Sequence, residues 1–126
     1  MSAPPSERRA IILIDHGSRR PEANAMLGAV AAALRKRVPD RIIEIAHMEL
    51  APPSLGDAVA ACAAAGAREI VVHPYFLAPG AHVTRDIPEQ AAAMASRHPN
   101  VSIRVSEPLG LHESLLDAIL ARVETA

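Results

Sequence analysis

Short apolar runs alternate with longer stretches of helical periodicity along the whole chain. Ala10–Asp15 (AIILID) reads as a strand. Glu22 to Val38 then sets Met26, Val30, Leu34 and Val38 at spacing four, a helical stripe ended by Pro39-Asp40. Arg41–Met48 is a second strand, β-branched through Ile42, Ile43 and Ile45. Ser54-Leu55-Gly56-Asp57 has the spacing of a capping box, and Gly66 stands where the second helix needs a left-handed residue to end. Glu69–His73 and Val101–Ser106 are the third and fourth strands. Between them, Asp86-Ile87-Pro88-Glu89 opens a helix that stops at His98-Pro99-Asn100, and Leu111–Glu124 forms the last helix. Four βα units in succession predict an α/β fold: a three-layer sandwich with a four-stranded parallel sheet and helices on both faces. The expected strand order is 2-1-3-4, as in flavodoxin-like folds.

Composition narrows the classes of function. At 126 residues the chain is one domain, expected over 10–126 with a polar, Pro-rich, disordered tail at 1–9. A net charge of -1 and 2% aromatic residues offer neither an electrostatic nor a stacking surface for nucleic acid. The single Cys62 excludes an intrachain disulfide and a multi-cysteine zinc site, and a reducing, cytoplasmic setting is expected. Ala10–Ile14 is too short for a signal core, and the longest uncharged apolar stretch, Ala58 to Ala67, is about half a membrane span.

In open α/β sheets, ligands bind beyond the carboxyl ends of the strands, where the strand order reverses. For order 2-1-3-4 this selects the loops after the first and third strands. The first is Asp15-His16-Gly17-Ser18-Arg19-Arg20-Pro21; the second runs from Pro74 to Asp86 and is long for a βα connection. Each loop carries a histidine, His16 and His82, and the second holds the chain's only Tyr and Phe, Tyr75 and Phe76. Two neutral imidazoles at a cleft suit a borderline transition metal that is bound weakly and passed on, and they lack the carboxylates a calcium site wants. Glu49, just beyond the second strand, lies on the same edge as a third oxygen ligand or a proton acceptor. Arg19, Arg20 and Arg85 are placed to meet ligand carboxylates. His47 and Cys62 read as packing residues, and His98 as a helix-end cation.

These motifs resemble the short sirohydrochlorin chelatases, the CbiX/SirB type of the class II chelatases. The resemblance rests on Asp15-His16-Gly17-Ser18-Arg19 and on Pro74-Tyr75-Phe76-Leu77-x-x-Gly80-x-His82-x-x-x-Asp86-Ile87-Pro88. Met48-Glu49-Leu50-Ala51-x-Pro53-Ser54 and Pro108-Leu109-Gly110-x-His112 extend it to about residues 10–120. It implies ATP-independent insertion of a divalent metal, Co²⁺, Fe²⁺ or Ni²⁺, into the tetrapyrrole sirohydrochlorin, in cobalamin or sirohaem biosynthesis, with no organic cofactor. It further implies His16 and His82 as the metal-binding, catalytic pair, Glu49 as the acidic site residue, and a homodimer. Tetrapyrrole contacts would fall to Arg19, Arg20, Tyr75, Phe76, Gly80, Arg85 and His112. Two positions depart from the pattern: His73 stands where an apolar residue is expected, and Pro52 replaces an acidic one.

The alternative of another class is a carrier that binds metal or tetrapyrrole at the same site without turnover. A receiver domain lacks its acidic cluster, since the third strand ends in His73-Pro74. A hydrolase centred on Ser18 lacks the flanking glycines of a nucleophile elbow, the positions being His16 and Arg20. A histidine phosphatase would want Arg, not Asp15, before His16-Gly17.

Overall fold

A computed structural model describes residues 9–126; the expected tail at 1–8 lies outside the described residues. Arg9 does not belong to that tail. It starts strand β1 (Arg9–Asp15) and stands in register with Glu69 of the neighbouring strand. There follow α1 (Pro21–Arg37), β2 (Ile42–His47), α2 (Leu55–Ala64), β3 (Glu69–Pro74), a π-helical turn (His82–Asp86), α3 (Ile87–Arg97), β4 (Ser102–Val105) and α4 (Glu113–Glu124). All pairings are parallel, in the order β2-β1-β3-β4.

Alternation along β1 divides the core in two. Ala10, Ile12 and Ile14 face α2 and α3 and pack with Ile70, Val72, Val59, Cys62 and Ile87. Ile11 and Leu13 face α1 and meet Leu27, Ala31 and Ile43. The α1 stripe is therefore centred on Leu27, Val30, Ala31, Leu34 and Val38, while Met26 lies at its outer edge, 60% exposed. Burial pushes the Cys62 thiol up to about 12, with the nearby Glu44 charge adding to the effect, so it behaves as a small core hydrophobe.

The helix ends show which signals are local. Ser54 Oγ accepts from Asp57 N at 3.1 Å, and Asp57 Oδ2 accepts from Ser54 N at 3.0 Å, a complete capping box. Ser54→Ala should cost about 1 kcal/mol, read as a lower urea midpoint with an unchanged m-value. Asp86, by contrast, makes no side-chain cap: its backbone is already helical (φ -67°, ψ -45°). The π-helical turn runs directly into α3, so Asp86 is not at a free helix start.

Candidate functional site

The carboxyl ends of β1 and β2 are tied together by backbone and side chain. Met48 N donates to Asp15 O at 2.9 Å, and Glu49 N donates to His16 O at 3.1 Å. Asp15 and His47 are register partners, and the buried His47 imidazole hydrogen-bonds Asp15 Oδ1 through Nδ1. The expectation that His47 is structural holds: it joins two strand ends beneath the surface. The residues that follow each strand face outward. His16 Nε2 lies 3.1 Å from Glu49 Oε1, with the two side chains 41% and 59% exposed.

Gly17 makes this approach possible. Its φ is +94°, and a Cβ there would sit 1.9 Å from the Glu49 carbonyl oxygen. Beyond it, Ser18 and Asn24 clasp each other: Ser18 N donates to Asn24 Oδ1 at 2.9 Å, and Asn24 Nδ2 donates to Ser18 O at 2.7 Å. Asn24 thus holds the β1 loop against the start of α1. Sequence reasoning missed it, because an Asn two positions inside a helical pattern carries no signal of its partner.

His16 Nδ1 lies 3.2 Å from Gly17 O, which can only accept. A neutral imidazole that donates Nδ1–H there turns the Nε2 lone pair toward the Glu49 carboxylate. Two lone-pair donors side by side at a solvent-accessible edge can clasp a divalent cation or share a proton. The loop after β3 reaches the same edge: Tyr75 N donates to Ile14 O at 2.7 Å. His82 opens the π-helical turn at the end of that loop, and its side chain lies outside the described residues. Among the described residues, no three His, Cys, Asp or Glu side chains converge on a metal-binding point.

The remaining candidates are spread more widely. Arg19 and Arg20 are exposed on the β1 loop. Arg85 is exposed too, with Nε donating to Asp86 Oδ1 at 3.1 Å. Tyr75 packs into the α1-side core and Phe76 against the other, so both anchor the loop. The Gly80 carbonyl accepts from Val83 N at 3.0 Å and Thr84 N at 2.8 Å, starting the π-helical turn. His112 caps α4: Ser114 N donates to its Nδ1 at 3.1 Å. A groove of about 530 Å³ separates the β3 loop from the β4 loop and includes Val83, Thr84, Ser106 and Leu109.

His73, the departure at the end of β3, is half-buried, with Nδ1 2.8 Å from Ser106 Oγ. Burial lowers its pKa below the ordinary 6.5, partly offset by a hydrogen bond to the Glu107 backbone. The unfolded chain therefore binds the proton more readily than the folded one. Above 6.5 both states are neutral and nothing changes; as pH falls below that value, stability declines until the folded-state pKa is passed. Urea unfolding between pH 8 and roughly pH 5 should show this slope, and His73→Gln should flatten it.

The CbiX family profile matches residues 10–126. The sirohydrochlorin ferrochelatase of Arabidopsis thaliana chloroplasts is 43% identical over 114 residues, covering 90% of this chain and 51% of that protein. A sirohydrochlorin cobaltochelatase of Methanococcoides burtonii is 33% identical, covering 93% of this chain and 95% of that protein. The crystal structure of the sirohydrochlorin chelatase SirB from Bacillus subtilis subspecies spizizenii, in complex with cobalt, superposes with a TM-score of 0.86 at 33% identity. That superposition covers 94% of this chain and 50% of SirB. The chain thus spans about half the length of the plant and Bacillus proteins and nearly all of the archaeal one. The profile begins within β1 and runs to the end of the chain, through every loop that builds the carboxyl edge, and the chain belongs to the CbiX family.

Proposed function

We propose that this protein inserts a divalent metal, Co²⁺, Fe²⁺ or Ni²⁺, into sirohydrochlorin. The observation that carries the reading is the His16–Glu49 pair, 3.1 Å apart on the edge where α/β sheets bind ligands. Metallation exchanges two pyrrole N–H protons for one M²⁺ ion, so the site must hold a cation that has shed water and then accept protons. His16 and His82 form the metal-binding pair, and Glu49 is the carboxylate beside it. The His16 Nε2 lone pair cannot ligate metal and bind a proton at once, so Glu49 takes a proton while the histidine holds the ion. Once the metal has left, the imidazole is free to be protonated in turn. The exchange consumes no bond energy, and no ATP or organic cofactor enters it.

Arg19, Arg20 and Arg85 meet the carboxylates of the macrocycle. Gly80 and His112 line its approach, and Tyr75 and Phe76 wall the pocket. The protein works as a homodimer in the cytoplasm, consistent with its one buried thiol. Among the described residues, no helix is long and apolar enough to cross a membrane.

The test is anaerobic mixing of the protein with metal-free sirohydrochlorin and each metal in turn, following the visible spectrum of the macrocycle. Several product molecules per protein, above a protein-free control, are expected with at least one metal. A spectral change that stops at one equivalent would identify a carrier instead.

A further inference from the structure

Among the described residues, His47 is the one polar side chain that is fully buried, in a core built otherwise of apolar residues. Its imidazole meets Asp15 Oδ1 through Nδ1, and the carboxylate accepts, so the hydrogen sits on Nδ1. Stability does not require such a pair, because well-packed apolar residues in the same space are often as stable or more so. Its position is the informative fact. The pair lies at the carboxyl ends of β1 and β2, under the loops that carry His16 and Glu49.

Three further contacts tie the pair to both loops. His47 N donates to Pro53 O at 2.8 Å, which closes the loop bearing Glu49. A Cβ at Gly17 would lie 3.1 Å from His47 Cβ, so the loop bearing His16 passes over His47. Asp15 O accepts from Met48 N at 2.9 Å, next to Glu49. Above this layer, the His16 and Glu49 side chains are each about half exposed, so they take their place chiefly from the backbone that carries them.

We infer that Asp15 and His47 are positioning residues for metal insertion: their buried hydrogen bond fixes the separation of the β1 and β2 loops and so holds His16 and Glu49 at the distance at which they clasp a divalent cation. The inference rests on the function proposed above and adds to it two residues that lie beneath the metal rather than on it. A buried bond between a ring and a carboxylate has a set direction and specifies one arrangement, whereas apolar contacts between the same strand ends leave several. Loosening the support of a metal ligand costs about ten- to a hundredfold in metal affinity or activity. Replacing both partners by apolar residues keeps the core filled, leaves no polar group unpaired and removes only the direction.

Co²⁺ alone is the probe, titrated calorimetrically into the full chain, with insertion into sirohydrochlorin and thermal melting measured beside it. The Asp15→Leu/His47→Leu double variant should stay folded, bind Co²⁺ about ten- to a hundredfold more weakly and turn over more slowly at saturating metal. His47→Asn, whose amide N–H stands where Nδ1 does, should restore both. Wild-type Co²⁺ affinity and turnover in the folded double variant would overturn the inference. So would an unchanged affinity with turnover lowered only in proportion to the unfolded fraction, the mark of a merely structural pair. If the double variant does not fold, His47→Gln decides: its donor lies farther out, so it should bind Co²⁺ more weakly than His47→Asn, and equal binding overturns the inference. His16→Ala keeps the two readings apart. Co²⁺ binding that needs His16 but ignores the buried pair removes the positioning role alone; binding that ignores His16 removes the proposed function and the positioning role with it.

Discussion

Gly17→Ala is expected to slow the proposed metal insertion about a hundredfold and destabilise the fold together. The new methyl would lie 1.9 Å from the Glu49 carbonyl oxygen, on a residue whose φ is +94°. The clash is with backbone, and that backbone is hydrogen-bonded back to His16 and Asp15. The loops after β1 and β2 must therefore part. Left-handed strain and overpacking together should cost about 2–4 kcal/mol, which calorimetry would read as a melting temperature lower by roughly 10 °C. Parting the loops also separates His16 from Glu49. A displacement of about 1 Å at a reacting site costs on the order of a hundredfold in rate. Wild-type stability and turnover in this variant would refute the role assigned to Gly17.

His16→Ala is expected to separate those two effects. The side chain is 41% exposed and fills no core, so unfolding should stay within about 0.5 kcal/mol of wild type. Its loss removes the Nε2 donor from the edge proposed to bind metal, and metallation should fall by roughly a hundred- to ten-thousandfold. Measured at saturating sirohydrochlorin over a range of metal concentrations, the loss should include weaker metal dependence. Glu49→Gln keeps the hydrogen-bonding shape but removes the proton acceptor, so it should slow turnover while leaving metal binding less affected. Wild-type turnover in the His16 variant would place the chemistry elsewhere on the edge.

Much of this architecture was legible residue by residue. Strand, turn and helix signals alternate cleanly, because β-branched runs and capping residues act over a few positions. The Ser54–Asp57 box formed as read for that reason. The Asp86 cap did not, because a capping pattern is meaningful only at a free helix start, and here a π-helical turn precedes it. Met26 fell at the edge of its stripe for a related reason: spacing four alone drifts around a helix whose true period is about 3.6 residues.

The sequence by itself determined the βα order and the edge on which His16 and Glu49 stand. These follow from local propensity and from chirality, which act on every chain alike. The strand sequence β2-β1-β3-β4, expected only by likeness to flavodoxin-like folds, was decided by the tertiary structure, because right-handed crossovers allow more than one order. Only the tertiary structure decided which carboxylate meets which imidazole. Asp15 takes His47 below the surface, where the two are register partners at the strand ends, and Glu49 takes His16 above it, where the loops beyond the strands are joined by the Glu49 N to His16 O hydrogen bond. Only the tertiary structure, too, decided that α4 stands away from its own sheet, since an apolar stripe states that a helix will be buried but not against which surface.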